Sequence, residues 1–107
     1  MISAKDTIYP HIKEDLDFNE LMECFTPSDE EINFCKNETR TENNFLCMLI
    51  ILKSYQRYGY AVMIKEMPKK ITKFISEKVQ ISITNEVIIE YDSSRIRRHH
   101  LPLIKDY

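Results

Sequence analysis

The spacing of apolar residues along the chain predicts a series of helices. In "DFNELMECF", four apolar residues recur at intervals of three and four: Phe18, Leu21, Met22 and Phe25. This spacing places them in one stripe along a helix, and Asp17 can cap its start.

The longest helix is predicted over "ENNFLCMLIILKSYQRY", from about Glu42 to Tyr58, with Thr41 as its cap. Its middle, residues 45–52, is apolar on nearly all sides, so we expect it to be the buried central helix. Gly59 is the only glycine of the chain and follows at the position where a left-handed residue ends a helix.

Two further helices are predicted from their start signals. In "TPSDEEINFCKN", Thr26 can act as the cap, Pro27 fits the first turn, and three acidic residues favour the positive end of the helix dipole. The segment "MPKKITKFISEKVQI" begins with Pro68 in its first turn and carries apolar residues on one face.

The C-terminal part of the chain predicts two short helices. Thr84 can cap "NEVIIEY", and Ser93 or Ser94 can cap "RIRRHHLPLIKDY". In the last helix Pro102 lacks an amide hydrogen and should kink or interrupt the helix. The alternative is that "VQISIT" and "EVIIEY" form two strands, but a lone hairpin is marginally stable, so we favour helices.

Composition supports an all-α fold of one domain. A chain of 107 residues can bury a single core, and one glycine is too few for the tight turns of a sandwich or barrel. We expect a compact bundle of about five to six helices around the central apolar helix. Residues 1–16 are predicted to be an N-terminal arm, and residues 17–107 a single helical domain.

Several classes of protein are disfavoured by the sequence. The longest apolar run has eight residues, and the N-terminus lacks the apolar core of a signal peptide, so we expect a cytoplasmic protein that does not enter a membrane. The chain contains no CxxC pair, HExxH, P-loop or GxSxG motif. Adjacent His99 and His100 point roughly 100° apart on a helix and make poor joint metal ligands. We therefore expect no cofactor, no metal and no catalytic residues.

Charge is distributed unevenly between the two halves. Residues 1–50 contain four Lys or Arg against eleven Asp or Glu, a net charge of −7. Residues 51–107 contain eleven against six, a net charge of +5. Such asymmetry is typical of a chain whose basic half meets a polyanion, although the two halves can instead pair with each other in the fold.

Most basic residues of the second half lie near two predicted helix starts. One group is Lys69, Lys70 and Lys73, and the other contains Arg95, Arg97 and Arg98. Helix N-termini favour phosphate groups, and neutralising several phosphates releases counterions and makes binding salt-dependent. A charge run on a helix is, however, more often only a solvated face.

Four segments, in order, resemble the N-terminal DNA-binding domain of replicative transposases of the Tn-three family. They read "CFTPSDEEINF", "TRTENNFLCMLIILKSYQRYGY", "MPKKITKFISEKVQI" and "YDSSRIRRHHLPLIKDY", and the resemblance covers about residues 17–107. This chain departs from the family pattern where Asn44, Phe45 and Leu46 replace Arg-Leu-Gly, and where Tyr60 replaces an arginine.

The resemblance implies a helical domain that recognises the terminal inverted repeat of a transposon. It places Arg95, Arg97 and Arg98 on the family's basic "RtR..H" region, with His99 or His100 on its histidine. The acidic catalytic residues of the family lie in a much later domain, so this chain is expected to bind double-stranded DNA without cutting or joining it.

We therefore predict a DNA-binding domain of a transposase that acts in transposition and has possible contacts with other transposase domains. One of the C-terminal helical units can enter a DNA groove in a helix-turn-helix-like manner. The predicted DNA-binding residues are Lys69, Lys70, Lys73, Arg95, Arg97, Arg98, His99 and Lys105. The alternatives are a helical protein–protein interaction module of a transposase or regulator, and an enzyme whose site the sequence hides.

Overall fold

Helices account for all the regular secondary structure in the computed structural model, which describes residues 16–107. They are, in chain order, α1 (Phe18–Phe25), α2 (Asp29–Glu38), α3 (Glu42–Tyr58), a 3-10 helix (Ile64–Glu66), α4 (Lys69–Val79), α5 (Asn85–Asp92) and α6 (Arg95–Asp106). No residue in this part of the chain lies in a strand, so the all-α prediction is confirmed. The predicted arm lies outside the described residues except for Leu16, which is buried in the core.

Helix α3 is the centre of the bundle. Every residue from Phe45 to Ser54 is buried, and each of the other described helices packs against α3. The helix ends at Gly59, whose φ of 80° lies in the left-handed region and whose amide donates to the Tyr55 carbonyl at 2.8 Å. The apolar run therefore forms the predicted central helix, and the glycine ends it where expected.

The start of α2 differs from the prediction. Ser28 is the N-cap, and not Thr26: the Glu31 amide donates to Ser28 Oγ at 3.1 Å, while the Ser28 amide donates to Glu31 Oε1 at 2.8 Å. This reciprocal pair satisfies two free amides, and it needs a glutamate or glutamine three residues after the cap. Thr26 is followed at that distance by the shorter Asp29 and instead ends α1, donating to the Met22 carbonyl at 2.6 Å.

Helices α5 and α6 begin at the positions predicted from the capping residues Thr84 and Ser94. The Val87 amide donates to Thr84 Oγ1 at 3.3 Å, and the Arg97 amide donates to Ser94 Oγ at 3.2 Å. Pro102 lies inside α6 and does not interrupt it. Packing of the buried Ile104 side chain, beyond the proline, offsets the backbone hydrogen bond that a proline removes.

The apolar stripe of α1 is narrower than its spacing predicted. Leu21 and Phe25 are buried, but Phe18 is 67% exposed and Met22 38% exposed. Phe18 makes an edge contact with the Phe74 ring of α4, with the ring centroids 6.5 Å apart. The helix therefore leaves two large apolar side chains at the surface beside α4.

A buried ion pair joins the acidic and basic halves of the chain. The Lys53 ammonium lies 3.0 Å from Glu31 Oε1, and the Gln56 amide donates to Glu31 Oε2 at 2.7 Å. Burial acts to raise the pKa of Glu31, but hydrogen bonds from the Ser28 amide, Gln56 and Lys53 outweigh it and hold that pKa below 4.5. Pairing between the two halves thus includes the buried Lys53.

Glu31→Gln should lower the free energy of unfolding by about 3–5 kcal/mol at neutral pH, because it leaves the buried Lys53 ammonium without its counter-charge. The folded-state pKa of Glu31 is lowered, so the carboxylate stabilises the fold above its unfolded pKa of 4.5 and loses this effect as the pH falls through the folded pKa. The gap between wild type and variant should therefore shrink in acid, as measured by urea unfolding across the pH range.

The control is Glu30→Gln, which removes an exposed carboxylate from the same helical turn. It should change the free energy of unfolding by no more than about 0.5 kcal/mol. Equal destabilisation by the two variants would contradict a specific role for the buried pair.

Candidate nucleic-acid interface

The three predicted lysines of α4 come together with a fourth around one groove. This groove, about 680 Å³ in volume, lies between the 3-10 helix, α4 and α5. Lys69, Lys70 and Lys73 line it together with Lys65 from the 3-10 helix, and all four are exposed. No described acidic residue lines it. We call it the lysine groove.

The amphipathic pattern of α4 produces this arrangement. Its buried face consists of Ile71, Phe74 and Ile75, which pack into the core. Lys69 and Lys73 are four residues apart, so they stand one above the other on the opposite face of the helix. Burial of the apolar face therefore turns both ammonium groups towards the groove.

Hydroxyl groups and an uncapped helix start add to the polar lining of the groove. Thr72 and Ser76 line it between the lysines, and each hydroxyl donates to a backbone carbonyl of α4, at 3.0 and 2.9 Å. Helix α4 starts after Pro68 without a side-chain cap. The Lys70 ammonium donates to the Leu16 carbonyl at 3.4 Å, which holds this lysine near the start of α1.

The opposite wall of the groove is formed by the turn after α4 and by α5. Ser82 and Asn85 contribute exposed polar groups. Ile89 is 57% exposed at the edge of the groove, and Ile64 and Met67 lie buried on its lining. The groove thus combines four positive charges and several hydrogen-bonding groups with an apolar lining.

Asp92 joins the lysine groove to the start of α6. Its carboxylate, 6% exposed, accepts the amides of Ile64 and Lys65, each at 2.9 Å. Arg97 Nε lies 4.0 Å from the same carboxylate. The 3-10 helix that carries Lys65 and the first turn of α6 are therefore both anchored on the last residue of α5. Sequence reasoning missed Lys65 and Asp92, since neither stands out until the chain folds.

The predicted residues of α6 do not behave alike. Arg95, Arg98, His99 and Lys105 are exposed, and the three cations among them form no ion pair with another described residue. The Arg97 side chain is only 12% exposed, and its Nε has no hydrogen-bond partner among the described residues. The structure thus leaves four of these side chains available to a ligand and turns Arg97 towards Asp92.

His100 belongs to the core. It is 2% exposed, and its Nδ1 lies 2.7 Å from the Tyr91 hydroxyl. Burial and the neighbouring His99 lower the pKa of His100, while burial raises the pKa of Tyr91. The Tyr91 hydroxyl therefore forms a hydrogen bond with a neutral imidazole, and of the two adjacent histidines only His99 faces solvent.

Three further features of residues 16–107 concern metal binding, thiol reactivity and membrane insertion. This part of the chain contains no group of three or more His, Cys, Asp or Glu that could hold a metal ion. Burial raises the pKa of the Cys35 and Cys47 thiols to about 12, so neither is a ready nucleophile. None of the described helices is both long enough and apolar enough to span a bilayer.

Comparison with known proteins relates the chain to a family of uncharacterised domains. A family model described as a domain of unknown function, DUF4158, matches residues 3–107. No curated protein and no solved structure matches the chain.

Two neighbouring arginines of α6 should differ in their effect on stability. Arg97→Ala should lower the free energy of unfolding by about 1–3 kcal/mol, because it removes a largely buried side chain from Asp92. Arg98→Ala, an exposed change of the same chemistry, should stay within about 0.5 kcal/mol of wild type. Urea unfolding at neutral pH measures both, and an equal effect of the two substitutions would contradict the placement of Arg97.

Proposed function

This chain belongs to the DUF4158 family of domains of unknown function, and we propose that it binds double-stranded DNA as the N-terminal domain of a transposase. In this proposal it recognises the terminal inverted repeat of a transposon and leaves cutting and joining of DNA to other domains. The observation that carries the proposal is the lysine groove, where four exposed lysines surround one concave surface.

The charge pattern of the groove favours a polyanion. Four ammonium groups with no described acid among the lining residues concentrate positive potential in a protein whose net charge is −2. An acidic protein gains no general attraction for nucleic acid from its overall charge. Binding would therefore depend on this local surface, where lysines neutralise phosphates and release counterions.

The spread of the basic residues favours a duplex over a small anion. Arg95 and Arg98 are exposed on α6, and Asp92 connects the start of that helix to the 3-10 helix that carries Lys65. A small anion offers one phosphate group, whereas a DNA backbone carries a phosphate about every 3.4 Å of helix axis along each strand and so offers successive phosphates to both clusters. This arrangement supports contacts to several phosphates at once.

The choice of transposon ends rests on the resemblance to the Tn-three family. The segments that resemble the family include α3, α4 and α6, which form the centre of the bundle and most of the basic surface. Phosphate contacts hold a protein on DNA but do not read sequence, so recognition of a particular repeat needs base contacts as well.

A protein-interaction module is the second candidate. Phe18 and Met22 expose apolar side chains on α1, beside the Phe74 ring. Exposed apolar residues that adjoin one another are a common feature of protein–protein contacts. This surface belongs to a part of the protein that the DNA-binding proposal does not use, so the two candidates predict different sensitive residues.

The proposal is tested by a salt titration of DNA binding. Lys69→Ala with Lys73→Ala should weaken binding to a short duplex about tenfold or more at low salt. The plot of log affinity against log salt should become less steep by about 2, because two phosphate contacts are lost. Fluorescence anisotropy with labelled duplex, across a salt series, measures affinity and slope together.

Arg57→Ala provides the control, because it removes an exposed positive charge at the end of α3 that lines no described groove. It should leave both affinity and slope nearly unchanged. Absence of DNA binding by the wild-type protein at low salt would reject the proposal. If the wild-type protein bound no DNA but captured another transposase domain, and Phe18→Ser abolished that capture, the protein-interaction module would replace DNA binding as the proposed function.

A further inference from the structure

A second basic groove lies on the other side of the turn between α4 and α5. It has a volume of about 520 Å³ and is bounded by the end of α2, the start of α3 and the end of α4. Lys36, Arg40 and Lys78 line it and are exposed, against Glu42 as the one described acidic residue of the lining. The sequence pattern assigned none of these residues to DNA, because Lys78 lies far along the chain from Lys36 and Arg40 and only the fold brings it beside them.

Two of these lysines are held in place by aromatic rings. The Lys36 ammonium lies 5.9 Å from the centroid of the Phe45 ring, and the Lys78 ammonium lies 5.2 Å from that of the Phe74 ring. Both rings are buried, at 5% and 8% exposed, so they are fixed by the core. A cation–π contact restrains a long side chain in advance and reduces the conformational entropy that it loses when it binds an anion.

The turn between the two grooves borders both of them. Gln80 and Ile81 line the second groove, whereas Ser82 and Ile83 line the lysine groove. Gln80 has a φ of 59°, a left-handed conformation that a non-glycine residue rarely adopts, and it ends α4 there. The side chains of Gln80 and Ser82 are exposed and form no hydrogen bond with another described residue.

We propose that both grooves contact the same DNA duplex, with the turn over residues 80–84 facing the base edges between them. This inference rests on the proposed function and adds to it a second set of phosphate contacts and a reading element. A DNA groove is bordered by a phosphate backbone on each side, so a protein segment that enters it meets phosphates on both flanks. Gln80 and Ser82 carry amide and hydroxyl groups of the kind that read bases.

Residues that contact phosphates and residues that contact bases affect binding differently, so experiment can separate their contributions. Lys36, Arg40 and Lys78 contact phosphates, so they contribute affinity for any duplex and steepen its salt dependence. Gln80 and Ser82 contact bases, so they contribute the preference for one sequence over another. The lysine groove on the other flank holds the second backbone.

The test measures binding of the whole chain to two probes, a duplex with the terminal inverted repeat and a random duplex of equal length. Lys36→Ala with Arg40→Ala should weaken binding to both probes by a similar factor, about tenfold, and flatten the salt slope by about 2. Lys78→Gln gives a milder second variant with a slope change of about 1. Gln80→Ala with Ser82→Ala should lower the preference for the repeat about fivefold or more with little change in slope.

The outcomes separate this inference from the proposal on which it rests. If Lys69→Ala with Lys73→Ala weakens binding while the Lys36, Arg40 and Lys78 variants leave affinity and slope unchanged, the domain binds DNA and the second groove is excluded. If the Gln80 and Ser82 variant retains full preference for the repeat, the turn is not the reading element. If the wild-type chain binds neither probe, the proposed function fails and this inference fails with it. Thermal melts verify that each variant is folded.

Discussion

The contacts of one buried carboxylate hold together two of the segments that carry the basic surface. Asp92 is the last residue of α5, and its two oxygens accept successive amides of the 3-10 helix while Arg97 approaches from α6. A buried carboxylate is costly unless it is hydrogen-bonded or paired, so this geometry is strongly specified. Asp92 thus joins three segments: the end of α5, the 3-10 helix and the start of α6. The 3-10 helix carries the exposed Lys65, and the start of α6 carries the exposed Arg95 and Arg98.

The rest of the basic surface follows from how α4 packs on α3. Burial of Ile71 and Ile75 leaves Lys69 and Lys73 on the outer face of α4, opposite α5. The Glu31–Lys53 pair places one acidic residue of the first half in the core, where it neutralises a buried lysine and not a lysine of the groove. Of the other cations of the second half, all but Arg97 are exposed. The protein is acidic overall, yet it presents a concentrated positive groove.

Much of the fold was predictable because it depends on local signals. The apolar run at residues 45–52 predicted the central helix, Gly59 its end, and Thr84 and Ser94 the starts of α5 and α6. The errors arose where two local signals compete or where packing decides. Thr26 and Ser28 are both good caps, and only the side chain of Glu31 distinguishes them.

The candidate site was less predictable than the fold. A cluster such as Lys69, Lys70 and Lys73 is visible in sequence because helical spacing brings it together. Lys36 and Lys78 meet in the second groove through a contact between distant segments, and Lys65, although only four residues before Lys69, lies on a separate 3-10 helix that Asp92 holds in place. Arg97 shows the opposite case: its sequence context matches that of Arg98, and its burial against Asp92 is a tertiary effect.

The claim that Asp92 positions the basic surface is tested most directly by a double-mutant cycle of DNA binding with Lys65→Ala and Asp92→Asn. The asparagine can accept only one of the two amides, so the 3-10 helix should lose its fixed position. We predict that Lys65→Ala weakens binding about three- to tenfold in the wild-type background and hardly at all beside Asp92→Asn. Lys73→Ala should retain its full effect in both backgrounds, which shows that the Asp92→Asn protein still binds through its groove. Equal losses from Lys65→Ala in both backgrounds, or no loss in either, would contradict the account.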